Sequence, residues 1–282
     1  MPGIIFSEIT FWKCEKNLHK PSLQVIFIFF LFIQMSGGSQ QAFAQSWKEE
    51  KSGHFIILYP PQESDQWAQE VLQAAEQYYQ TIANQIGYAR YQDFWTWNNR
   101  VSIVVYPDKD AFIQETGQPP WSKAGAIQHA QHGRQRMIVT FKQESMFLDG
   151  ILPHEISHLM LHDFIGHDKN IPVWFDEGIA QLQEKETLSK ANELMKMLVS
   201  RDQYIPFPAL LNYDIRKETD PRNVAVFYAQ SVSVTDFMIR SYGNYEFGIL
   251  CRAMKNGRSF EQAIEATYVQ AAPSMEELEK NG

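Results

Sequence analysis

Short apolar runs bounded by turn residues dominate the chain between residue 45 and residue 141. Runs of β-branched and aromatic residues between prolines and aspartates are typical of strands. The predicted strands are His54–Tyr59, Val101–Tyr106, an edge strand at Ala124–Ile127, and Arg136–Phe141. Apolar residues at helical spacing predict a helix that starts at Ser64 or Asp65 and runs toward Gly87, and a short helix covers Ala111–Thr116. This part of the chain is therefore predicted to be rich in strands.

After residue 184 the apolar residues recur at helical spacing instead. The predicted helices are Thr187–Ser200, Asn223 or Val224 to Tyr242, Tyr245–Met254, and two that begin at Ser259 and Ser274. Ser259 and Gln262 match the capping-box pattern, and a break is predicted at Ile205–Pro208. The second half is therefore predicted to be all-α, and the fold class of the whole chain to be α+β.

The apolar segment between these halves contains the run His154-Glu155-Ile156-Ser157-His158. The helix should begin near Asp149 or Gly150, because Pro153 is tolerated only in an opening turn. Residues i and i+4 share one face of a helix, so both imidazoles can bind one metal ion. Taken alone, the motif also fits a helix with two surface histidines and an exposed glutamate.

A second segment offers the ligand that the motif lacks. A catalytic zinc ion takes three protein ligands and keeps its fourth position for water. Eighteen residues separate His158 from Glu177, which would lie on a helix that returns antiparallel. Pro172 suits the first turn of that helix, and Gly178 lets it pack closely against a neighbour. We therefore predict one Zn²⁺ per chain, bound by His154, His158 and Glu177.

These segments resemble the gluzincin zinc metallopeptidases, in particular the peptidase MA-like domains of bacterial exported proteins. The pattern of that group is H-E-x-x-H followed by P-x-W-x-x-E-G-x-A, which Pro172–Ala180 matches. A later helix of the group begins with Y-x-Q-S and ends with Y-G, as Tyr228–Ser231 and Tyr242–Gly243 do here. The resemblance is specific over residues 150–184 and looser elsewhere.

The resemblance implies a thermolysin-like molecule with two lobes. Residues 45–165 would form a strand-rich lobe that includes the motif helix, residues 166–282 an all-α lobe, and the active site would lie between them. It also implies hydrolysis of a peptide or protein substrate, with Glu155 as the general base. Tyr228 stands where the group has a tyrosine that stabilises the oxyanion; the alternative is a core tyrosine on an apolar helix face.

One segment departs from the pattern of the group, and this difference bears on which kind of peptidase is expected. Its aminopeptidases bind the free amino end of the peptide with a G-x-M-E-N segment, and the nearest match here is Gly125–His129. Gln128 replaces the carboxylate, and a neutral amide cannot pair with an ammonium group. An extended peptide can still add to Ala124–Ile127 as an extra strand. We therefore expect an endopeptidase rather than an aminopeptidase. The alternative is a catalytically idle, zinc-containing module of the same fold that holds a peptide or cell-wall component.

Three further residues near the motif have two interpretations each. His162 lies one turn beyond His158, and we expect it and His167 at the surface or beside the ligands rather than among them. Asp176 either orients a ligand histidine, as carboxylates around metal sites do, or is a favourable charge in the first turn of its helix.

The first 44 residues are predicted to be a signal peptide. Three lysines precede Leu23–Met35, an apolar run too short to span a bilayer comfortably, and Ala42–Ala44 is an A-x-A cleavage site. We expect an exported protein, periplasmic or extracellular, with no stable membrane span after cleavage. The alternative is an uncleaved membrane anchor.

Charge and cysteine content exclude several classes of partner. The chain has a net charge of −8 and no basic run, which argues against nucleic acid and anionic lipid as partners. Of the two cysteines, Cys14 lies in the predicted leader and Cys251 is then alone. Neither an intramolecular disulfide nor a cysteine-based metal site is expected.

Overall fold

The computed structural model describes residues 47–88, 95, 99–120, 122–129, 135–142, 146–269 and 274–281. The predicted signal peptide lies outside these residues. The described strands are β1 (Lys48–Lys51), β2 (Phe55–Tyr59), β3 (Val101–Tyr106), β4 (Ala124–His129) and β5 (Gln135–Phe141). The described α-helices are α1 (Asp65–Gln85), α2 (Lys109–Thr116), α3 (Leu152–Ile165), α4 (Val173–Gln181), α5 (Thr187–Val199), α6 (Phe207–Leu210), α7 (Pro221–Lys255), α8 (Phe260–Thr267) and α9 (Met275–Asn281). None of the helices described is both long and apolar enough to cross a membrane.

The five strands form one mixed sheet in the order β1-β2-β3-β5-β4. The three inner strands are parallel, while β1 and β4 pair antiparallel at the two edges. The α+β prediction is confirmed. Strand β1 was not predicted, because its sequence Lys-Glu-Glu-Lys contains no apolar residue. Charged side chains of this kind protect an edge strand from pairing with other chains.

Side chains alternate between the two faces of the sheet. Phe55, Ile57 and Ile103 belong to the main core, which they share with α1, α3 and α4. On the other face, Val104 and Val139 form a smaller cluster with Phe112 of α2. Because α3 packs between the sheet and the helices α1, α4 and α7, it is covered on nearly every side.

The motif helix begins differently from the prediction. A π-helical turn covers Phe147–Ile151, and the α-helix starts at Leu152 with Pro153 in its first turn. In a regular α-helix the ring of Pro153 would clash with the carbonyl of Asp149, four residues earlier. The wider turn avoids this clash, and the Asp149 carbonyl accepts a hydrogen bond from the backbone N–H of Lys185 instead, at 2.9 Å.

The long helix α7 starts at Pro221, two residues before its predicted start, and the side chain of Asp220 caps it. The backbone of Gly243 is not helical, with φ 90° and ψ 156°, and it interrupts α7. This interruption matches the predicted break between Tyr242 and Tyr245. The capping box of Ser259 and Gln262 is present at the start of α8.

Helices α4 and α7 cross in direct backbone contact at Gly178. A Cβ atom on this residue would overlap the carbonyl oxygen of Ser231 and the hydroxyl of Thr235. Only glycine permits this approach, and Glu177 is its neighbour in the chain. The crossing therefore fixes the position of Glu177 relative to α7.

We expect Gly178→Ala to lower the free energy of unfolding by about 1–3 kcal/mol or more, because the added methyl group forces the two helices apart. Urea denaturation of the purified protein measures this change. The matched control is Gly150→Ala, whose Cβ would meet Met146 at an ordinary 3.7 Å. A loss of stability in the control as large as that in Gly178→Ala would contradict this account of the crossing.

Candidate metal centre

The three predicted ligands come together. The Nε2 atoms of His154 and His158 are 3.0 Å apart, and Glu177 Oε2 lies 3.8 Å from His154 Nε2. One ligand atom from each residue lies within 4.8 Å of the other two. A tetrahedral zinc ion with bonds of about 2.0–2.1 Å places its ligand atoms about 3.3 Å apart. The spacing of these atoms therefore fits a single zinc ion.

Burial makes this cluster unlike a group of surface residues. His154 and Glu177 are 1% exposed, Glu155 is 2% exposed and His158 is 5% exposed. The alternative of two surface histidines and an exposed glutamate is therefore wrong, because the surrounding helices and the sheet cover α3. Among the described residues, Glu155 Oε1 and Glu177 Oε2 have no hydrogen-bond partner. Buried carboxylate oxygens without partners are costly, and a cation beside them removes that cost.

Asp176 orients the second histidine. Its Oδ1 lies 2.7 Å from His158 Nδ1, so the opposite ring nitrogen is directed toward the other ligands. Its Oδ2 lies 2.7 Å from His162 Nε2. Of the two interpretations of Asp176, the structure supports the first, although the residue also lies in the first turn of α4. His162 lies beside the ligands and contacts them through Asp176.

Glu184 orients the first histidine, and this role was not predicted from the sequence. Its Oε1 is 2.7 Å from His154 Nδ1, and its Oε2 accepts a hydrogen bond from Thr187 Oγ1 at 3.0 Å. Glu184 lies beyond the end of α4, seven residues after Glu177. Helical spacing does not apply at that position, so the sequence offers no signal for Glu184 as a partner of His154.

The carboxylates around the site favour positive charge within it. Burial opposes protonation of His158, but the charge and hydrogen bond of Asp176 and the charges of Glu177 and Glu155 outweigh burial and raise its pKa to about 10. Burial raises the pKa of Glu177 to about 7, although the charges of His158 and His154 lower it in part. The pKa of Asp176 is held far below its usual range despite burial, because His158 and His162 pair with it. The same charges stabilise a divalent cation in place of protons.

Glu155 is placed differently from Glu177. It lies between the two histidines on α3 but does not join the group of ligand atoms. Burial raises the pKa of its carboxyl group, while the two histidines and a hydrogen bond from the backbone N–H of Ala126 lower it in part. A carboxylate near the metal ligands, with one oxygen held and the other unpaired, is suited to accept a proton.

Tyr228 is buried on α7 and packs against the ring of Phe227. It precedes Ser231 by three residues, and residues at that spacing share a helix face. Since Ser231 contacts Gly178, Tyr228 lies on the α7 face that meets α4. Its role in stabilising an oxyanion stays a prediction.

A second polar cluster supports the far end of α3. Asp163 accepts a hydrogen bond from Trp95 Nε1 at 2.8 Å and forms an ion pair with the buried Arg136 of β5. His167 Nε2 lies 3.0 Å from the same carboxylate, and its ring stacks parallel to His162. This cluster ties α3 to the sheet.

Comparison with known proteins agrees with the geometry of the site. The family model of the Peptidase MA superfamily matches residues 97–281, well over half of the chain. The matched region includes the three ligands, Glu155 and both orienting carboxylates. No curated protein matches the chain.

We expect Glu177→Gln to lose bound zinc, because a neutral amide is a poor replacement for a carboxylate ligand. Glu155→Gln should keep about one zinc ion per chain, because Glu155 lies outside the group of ligand atoms. The two variants make the same chemical change at equally buried positions, so each controls for the other. Elemental analysis after dialysis reports the result, and equal zinc content in both would refute the ligand assignment.

Proposed function

The chain belongs to the Peptidase MA superfamily, and on that premise we propose that it is a zinc metallopeptidase of gluzincin type that cleaves within polypeptide chains. The observation that carries this proposal is the arrangement of His154, His158 and Glu177 around one point, with Glu155 beside them. The group has three ligands, and a catalytic zinc site keeps its fourth position open for water, whereas a structural site is usually closed by a fourth protein ligand.

Zinc in this site would supply a Lewis acid that makes water acidic near neutral pH. Glu155 is the general base: its unpaired Oε1 accepts the proton of the attacking water and then gives it to the leaving amine nitrogen. Tyr228 is our candidate for the hydroxyl that donates to the carbonyl oxygen of the scissile bond as negative charge develops there. Glu184 and Asp176 keep the histidine rings in the orientation that metal binding requires.

The edge strand β4 supports cleavage within a chain. The backbone N–H of Ala126 lies near the carboxyl group of Glu155 and lowers its pKa in part, so β4 passes beside the proposed general base. Residues 124–127 are small or apolar and carry no charge. An extended peptide that added to the outer side of β4 would bring its backbone to Glu155 without needing a free amino end.

We also propose that the site opens into a cleft between a strand-rich lobe, residues 45–165, and a helical lobe, residues 166–282. The protein would act in the periplasm or outside the cell after removal of residues 1–44. The second candidate function is an idle zinc-containing module of the same fold that binds peptide or cell-wall material. Glu155 disfavours it, because binding alone does not require a buried base beside the metal ligands.

Glu155→Gln should reduce peptide hydrolysis by about 10²–10⁴-fold, the usual contribution of a general base. The measurement is the cleavage rate of an unfolded protein substrate by purified protein without the leader, with equal zinc content in both variants. Undiminished hydrolysis by the variant would exclude this mechanism.

The same assay distinguishes the position of cleavage. A peptide acetylated at its amino end and amidated at its carboxyl end should be cut internally as fast as the unblocked peptide. Loss of cleavage on blocking would indicate an exopeptidase. A wild-type protein that binds zinc but cleaves none of a broad peptide library would favour the binding module.

Ala126→Pro removes the N–H that faces Glu155, and proline is tolerated on the outer side of an edge strand. One hydrogen bond to a charged group contributes about 1.5–3 kcal/mol, so we expect kcat/KM to fall by about 10–100-fold. Ala126→Ser keeps the N–H at nearly the same size and is the control. A proline variant as active as the control would show that β4 does not assist Glu155.

A further inference from the structure

Each of the two histidine ligands is oriented by a carboxylate, and a further side chain contacts that carboxylate in turn. Thr187 Oγ1 donates to the second oxygen of Glu184 at 3.0 Å, and His162 Nε2 lies 2.7 Å from the second oxygen of Asp176. Each ligand histidine therefore has a partner carboxylate and, behind it, one further side chain. Neither of these two side chains belongs to a motif of the family pattern, and His162 is the one that lies on the motif helix α3 itself.

The position of Asp176 makes the contact with His162 consequential. Asp176 is 3% exposed, so water does not readily replace a lost hydrogen-bond partner. Both of its oxygens are engaged, one by His158 and one by His162, at the same distance of 2.7 Å. Removal of one partner leaves a buried oxygen unsatisfied and lets the carboxylate rotate about its remaining bond.

The ring of His162 is itself held in one plane. It stacks against His167 with ring centroids 5.9 Å apart and an interplanar angle of 8°. His167 in turn lies 3.0 Å from Asp163, which is tied to the sheet through Arg136. The ring nitrogen that faces Asp176 is therefore positioned by packing as well as by its own hydrogen bond.

We propose that His162 is a positioning residue of the zinc site, which acts through Asp176 to fix the orientation of His158 and so strengthens metal binding. This inference rests on the metal site of the proposed function but not on peptidase activity. His162 is not itself a ligand, because its Nε2 is directed at Asp176 and the described group of ligand atoms excludes it.

The test is zinc affinity, measured by competition with a chromophoric chelator in the absence of substrate. His162→Leu keeps the bulk of the ring but removes the donor, and it should weaken zinc binding by about 10–100-fold. His162→Gln keeps an N–H donor at similar reach and should restore most of the affinity. The Co²⁺-substituted proteins give a second readout, since a displaced His158 changes the visible absorption spectrum of the metal.

His167→Leu is the matched control: it removes the stacking partner of His162 but leaves the contact between His162 and Asp176, so it should weaken zinc binding less than His162→Leu does. The proposal is overturned if His162→Leu keeps wild-type affinity, if the glutamine variant is as weak as the leucine variant, or if the control is equally weak. Should the leucine variant fail to fold, His162→Asn replaces it, because asparagine carries the same amide as glutamine but falls short of Asp176.

A double-mutant cycle tests the route of the effect. Asp176→Asn removes the carboxylate through which His162 acts, so His162→Leu should add little further loss in that background. Fully additive losses would show that His162 acts by another route. A wild-type protein that binds zinc tightly but cleaves nothing would refute the peptidase proposal and leave this one standing, whereas absence of zinc binding would overturn both.

Discussion

Four carboxyl groups and two imidazoles lie in one buried region of this protein. Removing their charges from water costs free energy, and the surrounding structure must offset that cost. Burial alone would neutralise such groups by shifting their pKa values. Here Asp176 stays ionised because two histidines pair with it, while the carboxyl group of Glu177 is shifted toward protonation. A divalent cation relieves both the repulsion among the carboxylates and the unpaired oxygens of Glu155 and Glu177. The arrangement is therefore consistent with a site whose stable form contains a metal ion.

The scaffold meets this constraint with close backbone contacts rather than long side chains. Gly178 brings α4 onto α7, so that Glu177 enters the site from a helix that cannot move away without losing its packing. At the other end, the wide turn before Pro153 frees the Asp149 carbonyl to hold the backbone of Lys185, next to Glu184. Both carboxylates that reach the first histidine are thus fixed through the main chain.

Local spacing determines which parts of this site a sequence reveals. His154 and His158 are one turn apart, and the proline, tryptophan and glycine around Glu177 define a second short helix, so the ligands could be predicted without a structure. Glu184 could not, because it lies past the end of α4 and reaches His154 only through the tertiary fold. The same holds for the backbone N–H of Ala126, which has no sequence signature, and for β1, whose charged residues show no strand pattern.

The two edges of the sheet differ in charge, and this difference bears on whether copies of the protein associate with one another. The sequence of β1 is Lys-Glu-Glu-Lys, whereas residues 124–127 of β4 carry no charge. If the protein binds extended polypeptides at β4, then only that edge of the sheet must be able to pair with another chain. A second edge of that kind would let copies of the protein associate edge to edge through their sheets. The charged residues of β1 oppose that association.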